Sequence, residues 1–297
     1  MRRLGLPFGL MLLAGTALAQ TIDLSQGGPV DITANDGIEW RQAEQVVVAR
    51  GGARAERDGT VVEALRLIAR YRPRGGEAAP ASPGAEPGGE SEIWRLEAEG
   101  NVRIFTATDV ATGDRAVYDM DQAVMVLSGR DISLATPRQR ITARDSLEYW
   151  TERRMAVARG NALVVTEDGR QITADVLVAY LLPEDAPTPA PRPRAEGAAA
   201  PPPGQGRLDR VELFGNVEIR GAEEVVRGDR GVYAAGSGVA RLLGDVRITR
   251  GGNQINGEEA VVNLNTGVSR LLGGAGQRVQ GLVMPNSEAP APGGPGR

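Results

Sequence analysis

Apolar and polar residues alternate with a period of two along most of the chain, a pattern typical of β-strands with one buried and one solvated face. In residues 141–149 the odd positions include isoleucine, alanine, leucine and tyrosine, whereas the even positions carry threonine, arginine, serine and glutamate. A helix is an alternative only around residues 63–70, where the propensities are mixed. The pattern therefore predicts strands throughout the parts of the chain that are rich in apolar residues.

A first short element recurs seven times along the chain. Its copies begin at Ile32, Val62, Ala111, Ile141, Ile172, Val226 and Ile255. The third residue of each copy is alanine or glycine, and the seventh residue is aliphatic. A small residue inside a strand predicts a close approach of two backbones or a bend in the sheet.

A second element follows each copy of the first, and a glycine with a following asparagine or aspartate marks it. Its clear copies begin at Gly100, Gly160, Gly215 and Gly244, and weaker copies begin at Gly51, Arg130 and Gly273. Such a pair is typical of a turn or of a bulge within one strand. Because the apolar alternation continues across the pair, we favour a bend within a long strand.

The distance between the two elements is 18 or 19 residues in five repeats, and the two exceptions are longer by 19 and 24 residues. The extra lengths match stretches rich in proline and alanine, at residues 73–91 and 183–206. Their composition predicts disorder, as does that of the tail at residues 285–297. We interpret residues 20–284 as one domain of about seven two-strand repeats, with both insertions at the same connection. Stacked repeats of this kind predict an elongated all-β structure with one apolar trough.

The first residues have the pattern of an export signal. A basic start at Arg2 and Arg3 precedes an apolar run at residues 4–13 and an A-x-A site at residues 17–19. This pattern predicts a secretory signal peptide at residues 1–19, cleaved after Ala19, and a periplasmic protein in a Gram-negative cell. The alternative is a membrane anchor, although the run is shorter than the ~20 apolar residues that span a bilayer.

The amino-acid composition argues against several kinds of metal site and catalytic site. The 297 residues include no histidine, cysteine or lysine, so all 34 basic residues are arginine, against 38 acidic residues. The usual ligands of zinc, haem and iron–sulfur clusters are missing, as are the commonest general base and the Schiff-base amine. The net charge of −4 argues against a broad nucleic-acid-binding surface. With 41% hydrophobic but 4% aromatic residues, the core is expected to be aliphatic.

Residues 141–180 carry a more specific pattern. They read A-x-x-x-L-x-Y, then a short variable step, then A-x-A-x-G-N-A-x-V and I-T-A-D. This pattern resembles the OstA/LptA family of periplasmic lipopolysaccharide transport proteins. The resemblance implies an elongated antiparallel β-jellyroll, open at both ends, that passes lipopolysaccharide through its apolar interior.

Apolar residues on the predicted inner face are the candidate lipid contacts. They are Ile38, Trp40, Val102, Ile104, Val117, Ile132, Leu134, Leu147, Tyr149, Val164, Val178, Val217, Ile219 and Ile248. The pattern alone favours an ordinary dry core at these positions, whereas the resemblance favours a lipid-filled interior. Arginines at residues 138–144 and 153–154 are candidates for anionic head groups, because guanidinium binds phosphate bidentately, although a solvated turn explains each arginine more simply.

We therefore expect a periplasmic lipid carrier that is not an enzyme and needs no cofactor or metal. The resemblance implies four partners: the acyl chains of lipopolysaccharide, an inner-membrane-anchored LptC-like protein, an outer-membrane LptD-like protein, and further copies arranged head to tail. Two alternatives from other classes remain at this stage. One is a structural or adaptor β-repeat protein that binds partners by edge-strand addition. The other is a carbohydrate-active β-helix enzyme, which would need several carboxylates converging on one face.

Overall fold

The computed structural model describes residues 30–57, 59–73, 91–183, 208–222, 224–263, 268–274 and 278–282. The predicted signal peptide, nearly all of both proline-rich stretches and the predicted disordered tail lie outside these residues. The described part contains eighteen β-strands and a 3-10 turn at Gln42–Glu44. No helix in that part is long and apolar enough to cross a membrane.

The strands of the first part of the sheet are β1 (Asp31–Thr33), β2 (Ile38–Arg41), β3 (Val46–Arg57), β4 (Thr60–Pro73), β5 (Ser91–Phe105), β6 (Val110–Asp119), β7 (Val124–Ser128), β8 (Ile132–Ala135) and β9 (Gln139–Ala143). Those of the second part are β10 (Ser146–Trp150), β11 (Met155–Thr166), β12 (Gln171–Leu181), β13 (Leu208–Arg220), β14 (Glu224–Ala234), β15 (Val239–Arg250), β16 (Asn253–Asn263), β17 (Val268–Leu272) and β18 (Gln280–Leu282).

The described strands form one antiparallel sheet in which the chain crosses back and forth. Ten strands are long, and four further crossings are each broken into two short strands: β1 with β2, β7 with β8, β9 with β10, and β17 with β18. The sheet thus contains fourteen crossings, which agrees with the seven predicted two-strand repeats. The all-β fold class is confirmed. The antiparallel pairing excludes the β-helix alternative, since β-helix strands stack in parallel.

A bulge lies near the middle of the strands that carry the Gly-Asn or Gly-Asp pair. In β13, Gly215 and Asn216 both have positive φ angles, of 74° and 47°, and the register with β12 and β14 shifts at this point. A Cβ atom on Gly215 would overlap the carboxylate of Asp175 on β12, so a larger residue would force that side chain to move. Aspartate lies against glycine in the same way at four other bends: Asp36 with Gly51, Asp114 with Gly129, Asp145 with Gly160, and Asp229 with Gly244. The predicted bend within a long strand is confirmed.

Because the bulges are aligned from strand to strand, the bend runs across the sheet and divides it into two halves. Half one holds β2, β7, β10 and β17, half two holds β1, β8, β9 and β18, and every long strand passes through both. Leucines of half one lean over small residues of half two on the concave side of the bend. A Cβ atom on Gly113 would lie 2.9 Å from Leu127 Cδ1, and one on Gly257 would lie 2.8 Å from Leu271 Cγ. The predicted close approach at the third residue of the first element is therefore present.

The concave side is the inner face, and its side chains form the main hydrophobic clusters. Two rows of side chains, which we call the bend rows, flank the bend. Two further rows, which we call the rim rows, lie farther from the bend, towards the strand ends. Residues directly opposite each other on antiparallel strands share a face, so the strand pairing defines each row.

Candidate lipid-binding face

The bend rows form a buried floor. In half one the row contains Ala49, Leu67, Ala98, Ala116, Leu127, Leu147, Ala158, Leu177, Leu213, Gly231, Leu242 and Ala260. In half two it contains Ala53, Ala64, Val102, Gly113, Ile132, Ala143, Ala162, Ala174, Val217, Gly228, Val246 and Gly257. Both rows mix large and small residues, and side chains such as Ile132, Val217 and Val246 are each 1% exposed. This floor is a packed core.

The rim rows are apolar but less covered. In half two the row runs Ala55, Val62, Ile104, Ala111, Leu134, Ile141, Val164, Ile172, Ile219, Val226, Ile248 and Ile255. In half one it runs Trp40, Val47, Ala69, Leu96, Tyr118, Met125, Tyr149, Ala156, Ala179, Val211, Tyr233, Ala240 and Val262. Most of these side chains are half-buried. The rim rows therefore offer continuous apolar surface that the protein itself does not fully cover.

Both ends of the sheet expose apolar inner-face residues. At the N-terminal end Ile38 and Trp40 of β2 are 52% and 49% exposed. At the C-terminal end Ile255 of β16 is 38% exposed, and Leu271 of β17 lies opposite Ala260 of the bend row. The rows thus reach the last strands at either end of the described sheet, so their apolar surface is open at both ends.

The inner face brings together twelve of the fourteen predicted lipid contacts. Ile38, Val102, Ile132, Leu147 and Val217 lie in the bend rows, and Trp40, Ile104, Leu134, Tyr149, Val164, Ile219 and Ile248 lie in the rim rows. The prediction missed the rim-row residues Ile141, Ile172 and Val226, although each begins a copy of the first element. Lipid contact itself remains a prediction for all of these residues.

Val117 and Val178, which are predicted to face inward, lie on the outer face. Val117 lies opposite Glu97 and Val126, and Val178 lies opposite Val157 and Glu212, all on the outer face. The reason is the bend, where the strands of the first element place two consecutive residues on the convex side. On β12, for example, the inner positions pass from Ala174 to Leu177 rather than to residue 176. A strict count in twos therefore exchanges the two faces beyond the bend.

The outer face of the sheet carries cross-strand ion pairs. Glu97, which is 5% exposed, contacts Arg70 at 2.7 Å, Arg95 at 3.2 Å and Arg115 at 2.5 Å. Burial raises the pKa of Glu97, but the hydrogen bonds from Arg70 and Arg115 outweigh it and hold that pKa below its ordinary value of 4.5. Similar pairs join Glu148 to Arg159, Glu218 to Arg227 and Glu259 to Arg241. The ion pairs on this face contrast with the uncharged inner rows.

The two arginine clusters named as head-group candidates differ in structure. In the first, Arg144 pairs with its neighbour Asp145 at 2.7 Å, and Arg140 reaches Ser133 at 3.4 Å. In the second, Arg153 stacks over the ring of Trp150 with its Cζ atom 4.8 Å from the ring centre. Only the second cluster lies at a turn on the rim of half one.

Other chemistry is sparse in the part of the chain that the structure describes. No group of three or more acidic side chains there could hold a metal ion. A polar cavity of about 470 Å³ lies on the C-terminal part of the sheet, and Arg247, Asn256, Arg278 and Gln280 contribute to its lining. Among the described residues, we therefore take the apolar inner face as the candidate binding surface.

The chain is similar to a described protein family, to a relative from another organism and to a solved structure. Residues 140–268, from β9 to the start of β17, match the family described as LptA/(LptD N-terminal domain) LPS transport protein. An uncharacterized protein of Rhizobium meliloti (strain 1021) is 24% identical over 134 residues, which cover 43% of this chain and 67% of that protein. The crystal structure of LptH, the LptA homologous periplasmic component of the lipopolysaccharide transport device from Pseudomonas aeruginosa, has a TM-score of 0.36 and 16% identity, covering 50% of this chain and 95% of that one. The resemblance seen in the sequence is confirmed over residues 140–268, which make up less than half of the chain.

Proposed function

We propose that this protein is a periplasmic carrier that binds the acyl chains of lipopolysaccharide on its inner face and passes them from one end of the sheet to the other. The observation that supports the proposal is the pair of rim rows, which are apolar across the sheet and in which most residues are only half-buried. An apolar surface of this extent, left incompletely covered in a soluble domain, is typical of a ligand-binding or interaction site.

Energetics favour the acyl chains as the main source of affinity. Each buried methylene contributes ~0.8 kcal/mol, so an acyl chain with about ten buried carbons contributes roughly 8 kcal/mol. An exposed ion pair with a phosphate contributes only ~0–1 kcal/mol. The rim rows carry no charge that would compete with the acyl chains for this surface.

Neighbouring residues on two strands provide the test. Ile172 and Ile219 lie opposite each other in the rim row, and Gln171 and Arg220 lie opposite each other one position away, on the outer face. A photoreactive amino acid placed at each position in turn, in cells that make lipopolysaccharide, should crosslink to lipopolysaccharide from residues 172 and 219. The exposed outer positions 171 and 220 are the matched controls and should not crosslink. Equal labelling at all four positions would contradict the proposal.

Contact with partners is proposed at the two ends of the sheet. The end strands β1 and β2, and β17 and β18, leave one side of their backbone without a strand partner in the described sheet. Such edges accept a further strand, which would continue the inner rows into an LptC-like protein, an LptD-like protein or another copy of this chain. Replacing Glu39 of β2 with proline should weaken this association while leaving the central repeats folded, as measured by pull-down and circular dichroism.

An adaptor with a dry core is the alternative, and the same crosslinking experiment separates it from the carrier. In an adaptor, the edges would still bind a partner, whereas residues 172 and 219 would never label lipid. The half-buried state of most rim-row residues favours the carrier, since a dry core would cover them as fully as it covers the bend rows.

A further inference from the structure

The turn at residues 151–154 differs from the other described turns on the rim of half one. Those turns, at residues 42–45, 120–123 and 235–238, contain no arginine, and their acidic residues Glu44 and Asp121 pair with Arg41 and Arg72. The turn at residues 151–154 instead carries Arg153 and Arg154 in succession. Among the described turns on this rim, arginine is therefore found at residues 151–154 and not at the other three.

Arg153 and Arg154 form no ion pair with any carboxylate of the described residues. Glu152, which precedes them, forms no ion pair with any described arginine. Most other described arginines do: Arg72 holds Glu92 and Asp121, and Arg210 holds Glu212. Two adjacent guanidinium groups without a carboxylate partner are available to bind an anion from outside.

Backbone hydrogen bonds fix the turn from both sides. The N–H of Thr151 donates to the carbonyl of Ala123 at 2.9 Å, and the N–H of Leu181 donates to the carbonyl of Arg154 at 2.8 Å. Within the turn, the N–H of Arg154 donates to the carbonyl of Thr151 at 3.1 Å. The stacking of Arg153 on Trp150 restricts that side chain further. A fixed turn reduces the conformational entropy lost when a ligand binds.

The turn also lies next to the apolar surface. It directly joins the strand ends that hold the rim-row pair Tyr149 and Ala156. Trp150 points to the outer face, so Arg153 lies on the outer side of the rim, where a head group leaves the apolar rows. An amphiphile whose acyl chains lie on the rim rows would bring its polar head to this turn.

We propose that Arg153 and Arg154 bind a phosphate group on the head of the transported lipid, an inference that rests on the carrier function proposed above. Guanidinium groups donate paired hydrogen bonds to phosphate oxygens. Trp150 is a positioning residue that holds the Arg153 guanidinium at the rim. The acyl chains supply most of the affinity, and the turn supplies discrimination for phosphorylated lipid.

The experiment compares two probes, lipid A with both phosphates and the same acylated lipid with its phosphates removed. At low salt the double variant Arg153→Gln, Arg154→Gln should bind the phosphorylated lipid about fivefold more weakly than wild type, because exposed charge pairs contribute ~0–1 kcal/mol each. Its affinity for the dephosphorylated lipid should be unchanged. The matched control Arg230→Gln, Arg247→Gln removes two other unpaired arginines, on the outer face, and should bind both lipids as wild type does.

Four other results are possible, and each would contradict either the carrier function or the phosphate site. If wild type binds neither lipid, the carrier function itself is wrong. If both lipids bind wild type and the variant equally, the carrier function stands and the phosphate site is wrong. If inorganic phosphate at constant ionic strength displaces the phosphorylated lipid from wild type at millimolar concentration, the turn is a site for free phosphate rather than for a lipid head. Equal weakening by the control pair would show a general charge effect instead of a site.

Discussion

The bend rows and the rim rows of the inner face contain the same kinds of residue but differ in cover. Ile132 in a bend row is 1% exposed, whereas Ile172 and Ile219 in a rim row are half-buried. The bend brings leucines of one half against small residues of the other, and farther from it the two halves no longer cover each other fully. Stability is therefore expected to reside mainly in the bend rows, and ligand binding in the rim rows.

The largest effect should come from the bend itself. Gly129 has a φ of 117°, and a Cβ atom there would lie 2.8 Å from the backbone nitrogen of Asp114, so Gly129→Ala adds both strain and overlap. We expect a loss of about 4 kcal/mol in the free energy of unfolding, measured with urea. Gly169, with a φ of 80° and nothing within 4 Å of its virtual Cβ atom, is the matched control. Gly169→Ala should lose only about 1 kcal/mol, and equal losses would show that the bend is not specially constrained.

The next effect compares two isoleucines directly. Ile132→Ala should lower the free energy of unfolding by about 3 kcal/mol, because it leaves a cavity in the packed floor. Ile219→Ala should lower it by only about 1 kcal/mol, because that side chain is already partly solvated. Chemical denaturation of both variants measures the difference. Similar losses would mean that the rim row is part of one uniform core, which is the adaptor interpretation.

The third effect concerns lipid binding. The double variant Ile172→Ser, Ile219→Ser should weaken binding of a fluorescent lipid A analogue about tenfold, since each serine removes contact with the acyl chains. The matched variant Gln171→Ser, Arg220→Ser changes the same two strands on the outer face and should bind as wild type does. A reversed order of affinities would place the lipid on the outer face.

The smallest effect tests the outer ion pairs through pH. Because the pKa of Glu97 is held below 4.5, its charged form stabilises the fold above the pKa of the unfolded chain. This stabilisation is lost as the pH falls through the lower folded-state pKa. Glu97→Gln should therefore cost about 1 kcal/mol at pH 7, and the difference from wild type should shrink below about pH 4.5. The exposed pair of Glu259 provides the control, and Glu259→Gln should show a smaller difference at both pH values.

The fold could be predicted because each repeat contains its own strand pattern and its own glycine pair. Period-two alternation predicted the strands, and the glycine pairs predicted the bend that Gly160 and Gly215 form. The faces of Val117 and Val178 could not be predicted, because the change of face occurs at residues that alternate normally. Ion pairs such as Glu97 with Arg115 could not be predicted either, because they depend on the register between strands, and the sequence of a single repeat does not specify that register. For the candidate site, the sequence found most of the inner face but could not distinguish its floor from its rim.

The aspartate that lies against a glycine at five bends has a further consequence, which concerns length. Because each repeat carries its own corner, a repeat can be added or removed without disturbing the alignment of the corners on either side. Each repeat adds two crossings, and neighbouring strands lie ~4.8 Å apart, so a repeat lengthens the sheet by about 10 Å. The number of repeats thus sets the length of the sheet, and duplication of a repeat in the gene would lengthen the distance that one molecule spans.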